Sequence, residues 1–304
     1  MAYGLQTYDD KSIREDLLDI ISDVSPDDNP LSTMLGTTTA SQTVHQWLED
    51  YIARPTSNSG ESEGAAATYA DLTQASRRTN ITQIITQTFR VSGTERAVKV
   101  AGASDPFDYQ KGKALKQWKN RLEYALIRGA ISSGASGSAA TMAGIEATVT
   151  SHYTARLSGT SLSETELNSM VLDVATDVGT DEVFDTVLTT LQLRQKISTF
   201  TAGSTRYVDA KDMRLTRKVM VYESDFGVHK IFGHKDVYPS ATTPGPKVIG
   251  LNESKWKIAF LRKPKYVELA KDGDRDNGEI VGEATLEFLA ERANALRSGY
   301  NQAG

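Results

Sequence analysis

The chain has 304 residues, 39% of them apolar, enough to bury a sizeable core. A net charge of −5 argues against a dedicated nucleic-acid binder, which needs clustered surplus Lys and Arg, and leaves room only for non-specific contact with DNA. Cys is absent, which closes off disulfides, thiolate metal sites and a Cys nucleophile.

The N-terminus runs Met1 to Gly4 and then to Asp9 and Asp10, without the basic and apolar stretches of a secretory signal. No apolar run approaches the ~20 residues of a bilayer crossing, so a soluble chain is expected. Ser12-Ile13-Arg14-Glu15 has the form of a capping box, and Ile13, Leu17, Leu18, Ile20, Ile21 and Val24 follow with helical spacing. This amphipathic helix should stop at Ser25-Pro26, with Pro30 keeping the chain extended. The first fifty residues carry ten acids against two bases, a strongly acidic arm.

Two strands are expected next, Thr43 to Ile52 and Asn80 to Val91, the second with Ile81, Ile85, Phe89 and Val91 on one face. Between them, Arg54 to Thr79 is small and polar, with Tyr69 and Leu72 its large apolar residues. So long a loop in a compact domain is either disordered or functional, and the flanking strands favour a projecting two-stranded finger. Asp105-Pro106 then opens the strongest helix, Asp105 at the N-cap and Pro106 at N1, running to about Ala130. Leu115, Trp118, Leu122 and Leu126 form its apolar stripe, with Lys113, Lys116, Arg121 and Arg128 largely on the far side. The run Ser132 to Ala140 is Gly/Ser/Ala-rich and reads as a flexible junction.

The remainder is mixed. Ser163 to Glu166 is a second capping box, leading a helix with Leu167, Met170, Val171 and Val174 on one face. A buried strand is expected at Val183 to Leu188, a helix at Leu191 to Phe200, and a hairpin of Val219 to Glu223 with Val228 to Phe232 around Asp225-Phe226-Gly227. Two further strands are expected at Trp256 to Leu261 and Tyr266 to Ala270. Glu279 to Tyr300 is read as mainly strand, although its Ala, Glu and Leu favour helix. The fold class is therefore α+β.

Patterns that could carry chemistry fall short. Asp272, Asp274, Asp276 and Glu283 occupy positions 1, 3, 5 and 12 of a calcium loop, but the sharp-turn position is Asn277, with Gly278 one place late. A solvated acidic hairpin with an Asn-Gly turn is the bland reading of the same residues. Asp225-Phe226-Gly227 copies a kinase tripeptide without the phosphate loop or catalytic loop that would give it meaning. His45, His152, His229 and His234 are scattered, which favours structural roles over metal binding. The expected role is structural, with no catalysis, no cofactor and no membrane.

The order of parts, together with specific blocks, resembles the major capsid proteins of tailed bacteriophages with the Hong Kong 97-type fold. The blocks are Arg14-Glu15-Asp16-Leu17, Val24-Ser25-Pro26, Asn29-Pro30-Leu31, His45-Gln46-Trp47, Val91-Ser92-Gly93-Thr94, Ala114-Leu115-Lys116, Leu269 to Asp274, and Glu283 to Glu287. They span nearly the whole chain and thin out between Thr141 and Lys218. The resemblance implies an N-arm (1–43), an extended β-hairpin loop (44–92), a peripheral domain (93–139 and 263–304) with a long spine helix (106–130), and an axial domain (140–262).

It also implies self-assembly as hexamers and pentamers into an icosahedral head around double-stranded DNA. The partners would be further copies, a separate scaffolding protein, a portal and a decoration protein. The chain would be made in the host cytoplasm and end in the virion. Residues expected at contacts between subunits are Asp16, Asp19 and Asp23 of the arm, Arg54, Tyr69, Arg77 and Arg78 of the finger, and Lys113, Lys116 and Arg121 of the long helix. Two other classes compete: a tail or adhesion subunit, and a soluble hydrolase using carboxylates.

Overall fold

The computed structural model describes residues 29–52, 55, 58, 60–67, 69, 74–98, 105–200, 221–237 and 245–301. The helix expected from Ser12 to Val24 lies outside them. Contacts divide the chain into two compact units. One comprises Met1–Asp27, Thr86–Trp118 and Lys265–Val281, the other Asp28–Ile85, Lys119–Pro264 and Gly282–Gly304.

The described chain begins with a correction. Pro30 opens a short helix, α1 (Pro30–Met34), where an extended segment was expected. Proline at the first helical position loses no hydrogen bond, and the Glu123 carboxylate accepts from the N–H groups of Leu31 (2.7 Å) and Ser32 (3.0 Å). β1 (Gly36–Thr39) follows, then a hairpin of β2 (Val44–Glu49), as expected, with β3 (Ser76–Ile81), which begins inside the segment expected to be loop; they pair from Val44↔Ile81 to Glu49↔Ser76. The strand expected from Asn80 to Val91 breaks at Thr82, beyond which β4 (Gln83–Ser92) joins a different sheet. The break has a cause: Thr82 Oγ1 donates to the buried Glu283 carboxylate at 2.7 Å, and the Asn80 amide donates to the carbonyls of Leu286 (2.8 Å) and Ala143 (3.0 Å).

After α2 (Gly93–Ala97) comes the long helix, α3 (Pro106–Arg128), capped as expected by Asp105 Oδ1 accepting from the Phe107 N–H at 2.9 Å. Its 23 residues span about 35 Å at 1.5 Å per residue. Trp118, Leu122 and Leu126 are buried as expected, with Ala114, Ala125 and Ile127 beside them, but Leu115 is 42% exposed and Ala114 takes its place on the buried face. Ser132 to Ala140 closes into a small turn through the bridges Ser132↔Thr141 and Ala135↔Ser138, with Gly134 and Gly137 at positive φ. The short helix α4 (Ile145–Thr148) follows.

Six strands make the larger sheet, in the order β5-β12-β9-β6-β8-β7. They are β5 (Tyr153–Thr160), β6 (Thr186–Thr189), β7 (Val221–Ser224), β8 (Gly227–Gly233), β9 (Lys247–Leu251) and β12 (Ala295–Tyr300). Helices α5 (Glu164–Val178) and α6 (Leu191–Phe200) contribute Leu167, Met170, Val171, Val174, Leu193 and Ile197 to one core with Phe184, Val187, Ile231 and Val248. Ser163 Oγ caps α5 through the Glu166 N–H, as its sequence predicts.

The other sheet runs β1-β10-β11-β4, built on β10 (Trp256–Leu269) and β11 (Arg275–Phe288). β10 is one strand where two were expected. Among the described residues β1 pairs with it only as far as Phe260, and a strand edge left open there tolerates Pro264. The segment Glu279 to Tyr300 is strand, as read, interrupted by a single helical turn at Glu291–Ala293.

In the unit of residues 86–118 and 265–281, Phe89 packs on Phe107 (5.1 Å) and Tyr266 (6.2 Å). Arg96 joins Asp276 (2.7 Å) and Asp105 (3.1 Å) while its guanidinium covers the Phe107 ring. The Lys271 hydrogen bond and then that of Arg96 hold the Asp276 carboxyl below the usual range.

Candidate functional site

β2 and β3 form a lone two-stranded ribbon whose two faces differ chemically. On β2, His45, Trp47 and Glu49 turn inward while Val44, Gln46 and Leu48 are exposed, the period-2 alternation of a half-buried strand. The inner face is fixed at each position. His45 Nε2 lies 2.9 Å from Glu287, Trp47 meets Phe288 edge-on at 4.8 Å, and Glu49 Oε1 accepts from the Glu291 N–H at 2.8 Å. Just beyond, the Tyr51 hydroxyl donates to Asp177 at 2.9 Å, and the same carboxylate holds His152 (3.2 Å) and Arg292 (3.3 Å). The Arg292 guanidinium stacks over the Tyr51 ring at 4.0 Å.

The outer face is unlike ordinary surface. Leu48 is 66% exposed with the exposed Arg77 opposite it in the register, and in the segment joining the two strands Ile52 is 87% and Tyr69 94% exposed. Large apolar side chains left exposed on the ribbon and in the segment joining its strands mark a contact surface. The arrangement brings together no nucleophile, base and oxyanion donors on this ribbon; what it offers is area and shape.

The expected contact residues are placed as follows. Asp16, Asp19, Asp23 and Arg54 lie outside the described residues. Tyr69 stands exposed, and Arg77 and Arg78 lie on β3, Arg78 paired with Glu49 across the ribbon. Lys113 and Lys116 are half-buried on α3, Lys113 with its ammonium 5.5 Å from the Tyr109 ring centre, and Arg121 is exposed. Of the calcium-loop residues, Asp276 is taken by Arg96 and Lys271, and the buried Glu283 by Thr82 and Arg262. Asp272 and Asp274 are exposed at the β10–β11 turn.

Sequence reasoning missed the fully buried Glu123, which ties α1 to α3 and faces His234 Nε2 at 3.4 Å. Its signal was legible: an acid on the helix face that carries Trp118, Leu122 and Leu126 is out of place unless something answers it.

His229 is 1% exposed, and burial pushes its imidazole below the ordinary 6.5, opposed in part by the Phe184 carbonyl and by Asp185. The unfolded chain then binds a proton more readily than the folded one, so this stabilisation is complete above about pH 6.5 and is lost as pH falls through the folded value. Urea midpoints of the wild type and His229→Gln, measured between about pH 7.5 and 5.5, should diverge, the wild type losing more on acidification. Parallel curves would count against it.

Comparison with known proteins places this architecture. The cyanophage A-1(L) capsid subunit is similar with a TM-score of 0.67 at 12% identity, covering 97% of this chain and 98% of that one. The capsid of Myoviridae phage XM1 is similar with a TM-score of 0.63 at 13% identity over 94% and 96%. The SrpI encapsulin of Synechococcus elongatus is similar with a TM-score of 0.61 at 10% identity over 96% and 94%. These likenesses show the fold, the Hong Kong 97 type. In sequence, the major capsid protein of Escherichia phage Phieco32 is 30% identical over 123 residues, 40% of this chain and 35% of that protein. The match thus spans about a third of that relative's length. The model of the family described as SU10 major capsid protein matches residues 2–300, and with almost the whole chain accounted for, this protein belongs to the SU10 major capsid protein family.

Proposed function

We propose that this chain is the shell-forming subunit of a tailed-phage head, assembling as hexamers and pentamers into an icosahedral capsid around double-stranded DNA. The family match across residues 2–300 carries the reading, and the ribbon and its connecting segment, with exposed Leu48, Ile52 and Tyr69, are the physical feature that agrees with it. In this reading residues 1–43 are the N-arm, 44–92 the extended loop, 93–139 and 263–304 the peripheral domain with α3 as its spine, and 140–262 the axial domain. The arm acids Asp16, Asp19 and Asp23 and the cations Arg77, Arg78, Lys113, Lys116 and Arg121 are proposed contacts between copies. A scaffolding protein, a portal and a decoration protein are the proposed partners. Negative-stain microscopy of purified particles containing the chain tests the reading. Closed polyhedral shells are expected; tubes, small rings or a dispersed monomer would overturn it.

The extended loop supplies no amine for covalent locking. No Lys occurs between Lys11 and Lys99, and guanidinium is a poor nucleophile. Mature particles boiled in detergent should therefore run as one band near 33.1 kDa. A ladder of linked subunits would contradict this.

A further inference from the structure

The turn joining β7 to β8 holds a second arrangement of polar side chains. Ser224 Oγ lies 2.8 Å from His229 Nε2, and His229 Nδ1 lies 2.9 Å from the carbonyl oxygen of Phe184. A carbonyl can only accept, so the ring proton sits on Nδ1 and Nε2 turns a lone pair toward the serine. Ser224 Oγ, with one proton to give, faces two acceptors, the Gly227 carbonyl at 3.2 Å and His229 Nε2 at 2.8 Å, and the shorter contact is to His229. The strand pairs Tyr222↔His229 and Ser224↔Gly227 set this geometry, and the Phe184 ring at 5.1 Å packs against the imidazole. The base is buried, and its lowered proton affinity keeps it neutral at pH 7. The serine is half-buried at the tip of a sheet-edge hairpin, beside exposed Asp225 and Gly227.

We propose that Ser224 is a nucleophilic modification site, activated by His229 as general base, that accepts an acyl group from activated acyl donors such as aryl esters. Oγ bonds to the acyl carbon, its proton passes to His229 Nε2, and the bond from that carbon to the leaving oxygen breaks. The proton then follows the leaving oxygen, giving O-acyl Ser224, a free phenol and neutral His229. The Phe226 N–H, at 3.3 Å, bonds Oγ itself and is not aimed at a developing oxyanion, so the expected chemistry is one acylation and not turnover.

The test is incubation of the purified full chain with p-nitrophenyl acetate, followed by peptide mass mapping. Ser224 should carry the acetyl group, at a rate about 100-fold above that in His229→Gln. The wild-type rate should fall on acidification as the imidazole gains its proton, with Asp185 the charged neighbour opposing part of the burial effect. Ser224→Ala should lose this one modification and keep the background. If His229→Gln does not fold, the wild-type pH profile and the Ser224→Ala map decide. Acetyl groups scattered over the surface with no enrichment at Ser224, equal rates with and without the imidazole, or a pH profile lacking its step would overturn the proposal.

Discussion

Gly144→Ala is expected to leave the chain poorly soluble, or to lower its thermal midpoint by about 10 °C. A Cβ at this position would lie 2.6 Å from the Gly129 nitrogen, 2.7 Å from the Ala125 oxygen and 2.8 Å from the Leu126 oxygen. All three are backbone atoms of the last turn of α3 and its exit, so no side chain can swing away. The Gly144 N–H also donates to the Gly129 carbonyl at 2.8 Å, locking the two segments at this spacing. Moving the helix end would disturb Leu126 and Ile127, both 0% exposed. Overpacking of this kind costs about 3 kcal/mol or more. Gly112→Ala is the control: a Cβ there meets nothing within 4 Å, and removing a mid-helix glycine should add roughly 0.5–1 kcal/mol. Thermal unfolding followed by circular dichroism compares the two. If Gly144→Ala melts with the wild type, the close approach does not exist in solution.

Arg297→Met should be nearly as damaging, for an electrostatic reason. Arg297 is 3% exposed on β12 and reaches α5, donating to the Glu166 carbonyl (2.8 Å), the Ser169 hydroxyl (2.7 Å) and Asp173 (2.6 Å), with the Glu166 carboxylate at 3.1 Å. A planar guanidinium suits this convergent set; without it Asp173 and the Ser169 oxygen lose their donor, while the Glu166 carbonyl keeps the Ser169 hydroxyl and the Glu166 carboxylate keeps Arg156. Breaking a buried pair costs about 3–5 kcal/mol, and the exposure of Asp173 places this one near the lower end. Arg297→Lys keeps the charge but not the fork and should fall between. Urea unfolding of all three forms checks the order; a Met variant as stable as the wild type would show that the cluster contributes nothing net.

The first strand of the ribbon and the longer helices α3, α5 and α6 were legible in the sequence because their signals are local. Ser163 announces α5, Asp105-Pro106 announces α3, and the spacing of Leu167, Met170, Val171 and Val174 names the buried face before any partner is known. The alternation from Val44 to Glu49 likewise made a strand. What that strand rests on was not readable, since Glu287, Phe288 and Glu291 lie more than two hundred positions away.

The sequence by itself determined the α+β class, most elements and, through its blocks of resemblance, the family. Only the tertiary structure decided that Pro30 begins a helix, that the strand through Asn80 changes sheets at Thr82, and that Trp256 to Leu269 is one strand. Each of those outcomes depends on a distant neighbour. The Glu123 carboxylate answers the N–H groups of α1, Glu283 and the Leu286 carbonyl answer Thr82 and Asn80, and the end of β1 leaves Pro264 an open edge. A buried polar group must find its partner wherever the fold puts one, and that requirement leaves no local pattern along the chain.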